Sequence, residues 1–493
     1  MTSTGTAPNR LVSSAFWLWG SQLATVVVQF AYAAVTSRLV APTQFGEYSV
    51  ALAVTALIVL VANGGLSQTV ARLMDLDEAV IRSLVSLSLI LGAVAALALW
   101  LTAPFWASLW GVPDADAPIR LLAVNAFTAP MLGVATGYTR RIGRFRQLAI
   151  TTFTANCVGM ALGLVAVALL RDSSSLLVSA IVSQILVLVV CVALSRGMLT
   201  RPGGLRAAGQ ELGFSARVLL TTVLAYLAGN VGKWGVSLGL GPAALGQLNR
   251  AEVLGWVPFQ YAQDAMTQVV YPEFRHDRGS TERAQRVWAD LLTLTAWIAL
   301  PGAALAAALL PIVVPVLLGP RWSQAATLTT PLAVVGGLQI VVYVLYNALE
   351  AIGRFSSIWT AQVIQFLLNG AGAVAAISLH SFAPMMTALI VGLVVQHVVQ
   401  LAHCRVAGYL RPSALVRRYT GVVAVAVAVF AVVRLVEYLV VQQPLAGASV
   451  PVAVAVLVAV GVLAWRFFHR LPPVRLAEEY GLLPGRLRRG TAA

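Results

Sequence analysis

The sequence predicts an all-α integral membrane protein of about fourteen transmembrane helices. Three observations predict it. Of 493 residues, 59% are hydrophobic and only 10% are charged, whereas a globular domain carries about a quarter charged residues. Apolar runs long enough for a ~30 Å hydrocarbon layer at ~1.5 Å per residue recur along the chain. The basic residues fall almost wholly between alternate runs. Ten-residue alternating strands, the mark of an outer-membrane barrel, are not seen.

The runs place spans at 14–36, 45–68, 83–103, 119–138, 148–170, 176–195, 217–239, 250–271, 287–318, 326–349, 356–379, 383–404, 419–441 and 449–468. The ninth is longer than a bilayer requires, and Pro301, Pro311 and Pro315 should kink or shorten it. With the N-terminus in the cytoplasm, 26 arginines fall on the cytoplasmic side and 5 on the other. That asymmetry is the positive-inside pattern, and an even span count brings both termini inside. The net charge of +15 then reflects loop arginines, which also suit anionic headgroups, and nucleic acid is not expected as a partner. The polar N-terminus has no cleavable signal, so the first run stays as helix 1. Cys157, Cys191 and Cys404 lie in apolar runs and read as core residues, with neither disulfide nor metal site. Trp100, Trp106 and Trp110 cluster where an outer aromatic belt belongs.

The chain also repeats itself. "SRLVAPTQFG" at 37–46 and "SLGLGPAALG" at 237–246 share Ser37/Ser237, Pro42/Pro242 and Gly46/Gly246. "RRIGRF" at 140–145 pairs with "EAIGRF" at 350–355. Two six-helix bundles, 1–200 and 201–410, are expected as parallel pseudo-repeats, with two added helices in 411–470 and a basic cytoplasmic tail, 471–493. Binding sites in such folds lie near the midplane between the halves.

Polar stripes mark candidate cavity walls. Helix 8 carries Gln260, Gln263, Asp264, Thr267 and Gln268 on one face. Helix 7 carries Thr222, Tyr226, Asn230 and Lys233, and helix 1 carries Gln22, Thr25, Gln29 and Tyr32. Polar faces at membrane depth must meet protein or water. They either line a hydrated cavity or glue helices together. Lys233 is the only lysine in the chain. It either faces the cavity as an anion-binding cation or snorkels to the outer interface. Glu252 and Asp264 are its candidate acidic partners, although Asp264 should lie about 12 Å away along the membrane normal. Arg434 and Glu437, three residues apart, read as an intrahelical pair. Helix 12 carries Gln396, His397, Gln400 and His403; a histidine there either carries a proton or is a hydrogen-bonded core group.

Catalytic machinery is not expected. "GNVGK" resembles a phosphate-binding loop, but Leu227 stands where a glycine is needed and Trp234 where a hydroxyl is needed. The longest loop, about 196–216, is too short for a soluble catalytic domain. No cofactor is expected.

"SRLVAPTQFGEYSVALAV" at 37–54, "NGGLSQTVAR" at 63–72, "VVYPEFRHD" at 269–277 and "NALEAIGRF" at 347–355 resemble the corresponding segments of bacterial polysaccharide-biosynthesis flippases. These are the Wzx-like branch of the multidrug/oligosaccharidyl-lipid/polysaccharide exporter superfamily. The resemblance runs over essentially the whole chain. It implies a bacterial cytoplasmic-membrane transporter, not an enzyme, that moves polyprenyl-diphosphate-linked oligosaccharides outward by alternating access. Membrane lipids and a polysaccharide polymerase or export machinery are the partners it implies. Arg38, Arg144 and Arg354 are candidate contacts for the diphosphate, although a glycine turn followed by a cytoplasmic arginine explains the last two equally well. Such proteins often carry an acid beside a base on helix 7; here Asn230 is followed by Val231, Gly232 and Lys233. A small-molecule efflux antiporter of the same superfamily and a flippase for the peptidoglycan lipid precursor are the alternatives. A membrane glycosyltransferase would need a large outer loop or clustered acids, and neither is seen.

Overall fold

The computed structural model describes residues 26–63, 77–205, 212–276, 281–410 and 412–441, with isolated positions elsewhere. Gln22, the expected span 449–468 (but for two positions) and most of the tail lie outside the described residues, as does the side chain of Gln268.

The helices, in chain order, are α1 (Val26–Leu39), α2 (Pro42–Asn63), α3 (Glu78–Leu109), α4 (Asp116–Leu121), α5 (Ala123–Arg141), α6 (Phe145–Leu170), α7 (Ser173–Leu194), α8 (Leu212–Leu240), α9 (Pro242–Gly255), α10 (Val257–His276), α11 (Thr281–Leu318), α12 (Ser323–Ala351), α13 (Phe355–Leu379), α14 (Ala383–Val406) and α15 (Pro412–Val441). Among the described residues, nine helices are long and apolar enough to cross a membrane. The pair Pro113–Leu121 and Ala123–Arg141, bent by 41°, makes a tenth if it counts as one span. This is an all-α polytopic membrane fold.

Two expectations about helix ends need correction. The eighth span does not run unbroken from 250 to 271. It is divided into α9 and α10 at Trp256, just before Pro258. Proline suits the first turn of a new helix but clashes with a continuing one. The indole of Trp256 donates to Gln339 Oε1 at 2.7 Å, fixing the break. Conversely, the prolines of α11 do not end it: 38 residues stay in one helix. Pro311 has no N–H to offer the Ala307 carbonyl, and the Thr330 hydroxyl of α12 donates there instead, at 2.9 Å.

The chain forms two compact units. The first comprises Ala31–Asn249 with Asn369–Met385; the second comprises Met1–Phe30, Arg250–Leu368 and Met386–Ala493, in their described residues. In the first, Ile81, Leu84 and Val85 of α3 pack with Val134 and Ala135 of α5 and Cys191 of α7. In the second, Trp288, Leu291 and Leu292 of α11 pack with Leu345, Ala348 and Leu349 of α12, and Trp288 stacks on Tyr409 at 4.9 Å. Lipid offers side chains as apolar a setting as protein does, so close packing rather than water exclusion holds such helices together. Small residues allow it. A Cβ on Gly235 would lie 2.8 Å from Ala373 Cα, and one on Gly239 2.7 Å from Ile377 Cα.

The repeated sequence segments have matching backbones. Ile142–Arg144 and Ile352–Arg354 form the same turn. Gly143 (φ 76°) donates to the Arg140 carbonyl at 3.0 Å, and Gly353 (φ 77°) to that of Glu350 at 2.9 Å. Arg144 N then bonds Thr139 O, as Arg354 N bonds Leu349 O. The hairpin segments meet each other inside the first unit. A Cβ on Gly46 would overlap the Pro242 carbonyl, and one on Gly246 would overlap the Pro42 carbonyl. The two glycines thus let α2 and α9 touch backbone to backbone, each through the other's proline.

Candidate functional site

The stripe on α8 is held from several sides. The Tyr226 hydroxyl donates to the Ala53 carbonyl of α2. Asn230 Nδ2 donates to the Tyr226 carbonyl one turn back, at 2.9 Å. Asn369 of α13, buried, donates to the Ala228 carbonyl at 3.1 Å. Lys233 lies less than a turn beyond Asn230 and is half-buried. Its neighbours Trp234 and Ser237 donate to the carbonyls of Leu109 and Trp110, at 2.9 and 2.6 Å. Gly232 packs against Met385 of α14. In this conformation Tyr226 and Asn230 act as interhelical and local ties, and those ties fix the stretch of α8 that carries Lys233.

A second polar group lies in the other unit. Gln29 of α1 donates to the Tyr261 hydroxyl of α10 at 2.9 Å, so helix 1 meets the helix that carries the eighth-span stripe. Tyr261 escaped the sequence reading because its helical position places it beside the glutamine stripe rather than in it. Gln260 is half-buried, Gln263 is buried, and Asp264 is exposed. One turn on from Gln263, Thr267 accepts from Asn347 of α12 at 3.2 Å. Glu252 is buried in α9, on a helix that also buries Gln247 and Arg250.

The three candidate headgroup arginines differ. Arg38 and Arg354 are exposed. Arg144 is half-buried and donates to the Leu194 carbonyl at 3.1 Å, closing the C-terminal end of α7 where carbonyls lack helical partners. Arg434 and Glu437 form their i, i+3 ion pair on α15. Trp100 is exposed with the Arg120 guanidinium 5.0 Å over its ring, but Trp110 is buried and so is not part of a lipid-facing belt.

One cavity was not anticipated. It has a volume of about 510 Å³ and lies among α5, α6 and α7. Thr136, Arg140, Thr152, Asn156, Ser179 and Gln184 supply its polar lining. The sequence did hold a signal: Thr136/Arg140 and Thr152/Asn156 each sit one helical turn apart. Among the described residues, no three His, Cys, Asp or Glu side chains gather as a metal site requires.

Comparison with known proteins places this geometry. The family profile described as "Polysaccharide biosynthesis protein" matches residues 35–327. No curated protein sequence matches the chain. Among solved structures, "Lipid II flippase MurJ, inward closed conformation" superposes with a TM-score of 0.72 at 11% identity, covering 92% of this chain and 99% of that one. An inward-facing multidrug resistance MATE family transporter of the MOP superfamily gives 0.60 at 16% identity, covering 80% and 98%. A eukaryotic MATE transporter gives 0.53 at 12% identity, covering 83% and 99%. At these identities the likeness is one of fold. The chain belongs to the polysaccharide biosynthesis protein family.

Proposed function

We propose that the chain is a flippase for a polyprenyl-diphosphate-linked saccharide, with the peptidoglycan lipid precursor as the first candidate cargo. One observation carries this: the superposition on the lipid II flippase takes in 92% of the chain, more than the 80–85% covered by the MATE structures. That reverses the order expected from sequence, in which an exopolysaccharide unit came first. The exopolysaccharide reading stays second, supported by the family description.

In this reading the halves 1–200 and 201–410 alternate about a polar cavity, with 411–470 flanking it, both termini cytoplasmic, and membrane lipids and polysaccharide polymerase or export proteins as partners. Lys233 supplies the cation for the diphosphate. An anion entering low dielectric loses its hydration, and a fixed positive charge offsets that loss. Asn230, Tyr226 and Gln29, once their ties open, offer hydrogen bonds to sugar hydroxyls, as do Gln260, Gln263, Gln268 and Gln22. Asp264 is the candidate acid for ion coupling, and Arg38, Arg144 and Arg354 are candidate headgroup contacts at the membrane faces.

The test is reconstitution of the full chain in liposomes holding either lipid-linked precursor, with movement read by an impermeant probe of the far leaflet. Movement of the peptidoglycan precursor is expected. Export of a cationic dye with no movement of either lipid would replace this reading with the efflux antiporter.

A further inference from the structure

His397 is not the hydrogen-bonded core group that an intramembrane histidine usually is. Both of its ring nitrogens are buried, and among the described residues neither bonds to a protein atom. Its ring stacks on Tyr419 of α15, centroids 5.8 Å apart and planes 23° apart. The buried Tyr419 hydroxyl also has no protein partner. Three residues along α14, on the same face as His397, Gln400 is completely buried with its amide nitrogen and oxygen both unbonded. Five polar atoms on two neighbouring helices are therefore unsatisfied together. Native proteins seldom leave one such atom so, because a buried polar group without a partner is costly.

We propose that His397, Gln400 and Tyr419 form a proton-binding site between α14 and α15. The chemistry selects the ligand. A bound metal ion would need several ligands around it, and this patch has one imidazole, one phenol and one amide, enough to hold and hydrogen-bond a single proton. Imidazole is the base of the patch, the group that can take up a proton. A proton on His397 makes both nitrogens donors, and Gln400 Oε1 and Tyr419 Oη are the acceptors of the same patch. Among the described residues, the surrounding elements leave these acceptors without a charged rival. α13 carries no Asp, Glu, Lys, Arg or His. On α11, Asp290 is paired with Arg418 of α15. On α14, the His403 ring bonds the Val399 carbonyl at 2.8 Å, and Cys404 is buried in the apolar core. On α12, Tyr346 packs against that core beside Glu350's helix end. Seating a charged ring requires α14 and α15 to rearrange around it, so proton uptake is linked to helix movement. The site lies outside the polar stripes of α8 and α10.

The experiment uses the full chain in lipid nanodiscs with its five histidines ¹⁵N-labelled, His397 being assigned by loss of its signal in His397→Gln. Spectra are taken from pH 8 to the lowest pH at which the chain stays folded. The proposal expects the His397 ring signals to pass reversibly from neutral to imidazolium. It also expects Gln400→Leu or Tyr419→Phe, whichever variant folds, to move that midpoint by about half a pH unit or more. A His397 ring that stays neutral throughout, or that titrates identically in the folded variants, overturns it.

Discussion

At 142–144 the chain turns through Gly143 and sends Arg144 to the Leu194 carbonyl; at 352–354 it turns identically through Gly353 and leaves Arg354 exposed. The hairpins at 46 and 246 show the opposite outcome, because there the two copies meet each other through their glycines. The comparison teaches which features a duplicated sequence retains. Positions where only glycine fits keep their geometry in both copies, since a side chain would either overlap a backbone or force a left-handed residue. Arginines after the turn are free to take different partners.

The comparison can be broken most severely at the hairpins. Gly46→Val and Gly246→Val each drive a side chain into a proline carbonyl that belongs to a packed helix. Each should cost about 3 kcal/mol or more, the upper end of overpacking, and sharply lower the yield of folded protein in thermal unfolding in detergent. If either variant is as stable as the parent, the backbone contact is absent. Next come the turns. Gly143→Ala and Gly353→Ala should each cost ~1–2 kcal/mol, because both impose the left-handed region on a residue with a Cβ. Equal losses would confirm that the turns are equivalent, and a difference above about 1 kcal/mol would show that they are not. The arginines sharpen the contrast with the smallest effects. Arg144→Ala should cost about 1.5 kcal/mol for one charged hydrogen bond to a helix end. Arg354→Ala, at an exposed position, should stay within ~0.5 kcal/mol. Equal losses would mean that the Leu194 contact does not matter.

Most helix positions were legible in the sequence, because a hydrocarbon layer demands long apolar runs and leaves little ambiguity of period. The glycine and proline repeats were legible as motifs, although their meeting was not, since nothing local tells that residue 46 faces residue 242. The same gap explains the broken eighth span and the unshortened ninth helix. Pro311 keeps its helix because Thr330, distant in sequence, bonds the freed carbonyl. Pro258 starts a new helix inside a run whose apolar character hid the break. The polar stripes were legible as faces, but their immediate partners were backbone carbonyls at Ala53 and Tyr226, which no side-chain pattern marks. The unsatisfied state of His397 was likewise invisible, because a histidine with and without a partner reads alike.

The central claim is that Lys233 binds the anionic headgroup of a lipid-linked saccharide. The measurement that tests it most directly is outer-leaflet exposure of the lipid-linked intermediate in cells carrying Lys233→Ala or Lys233→Arg at matched protein level. The account predicts loss of exposure in Lys233→Ala and its recovery in Lys233→Arg. Normal exposure in Lys233→Ala would contradict it and turn the search for the anion site to Arg38, Arg144 and Arg354.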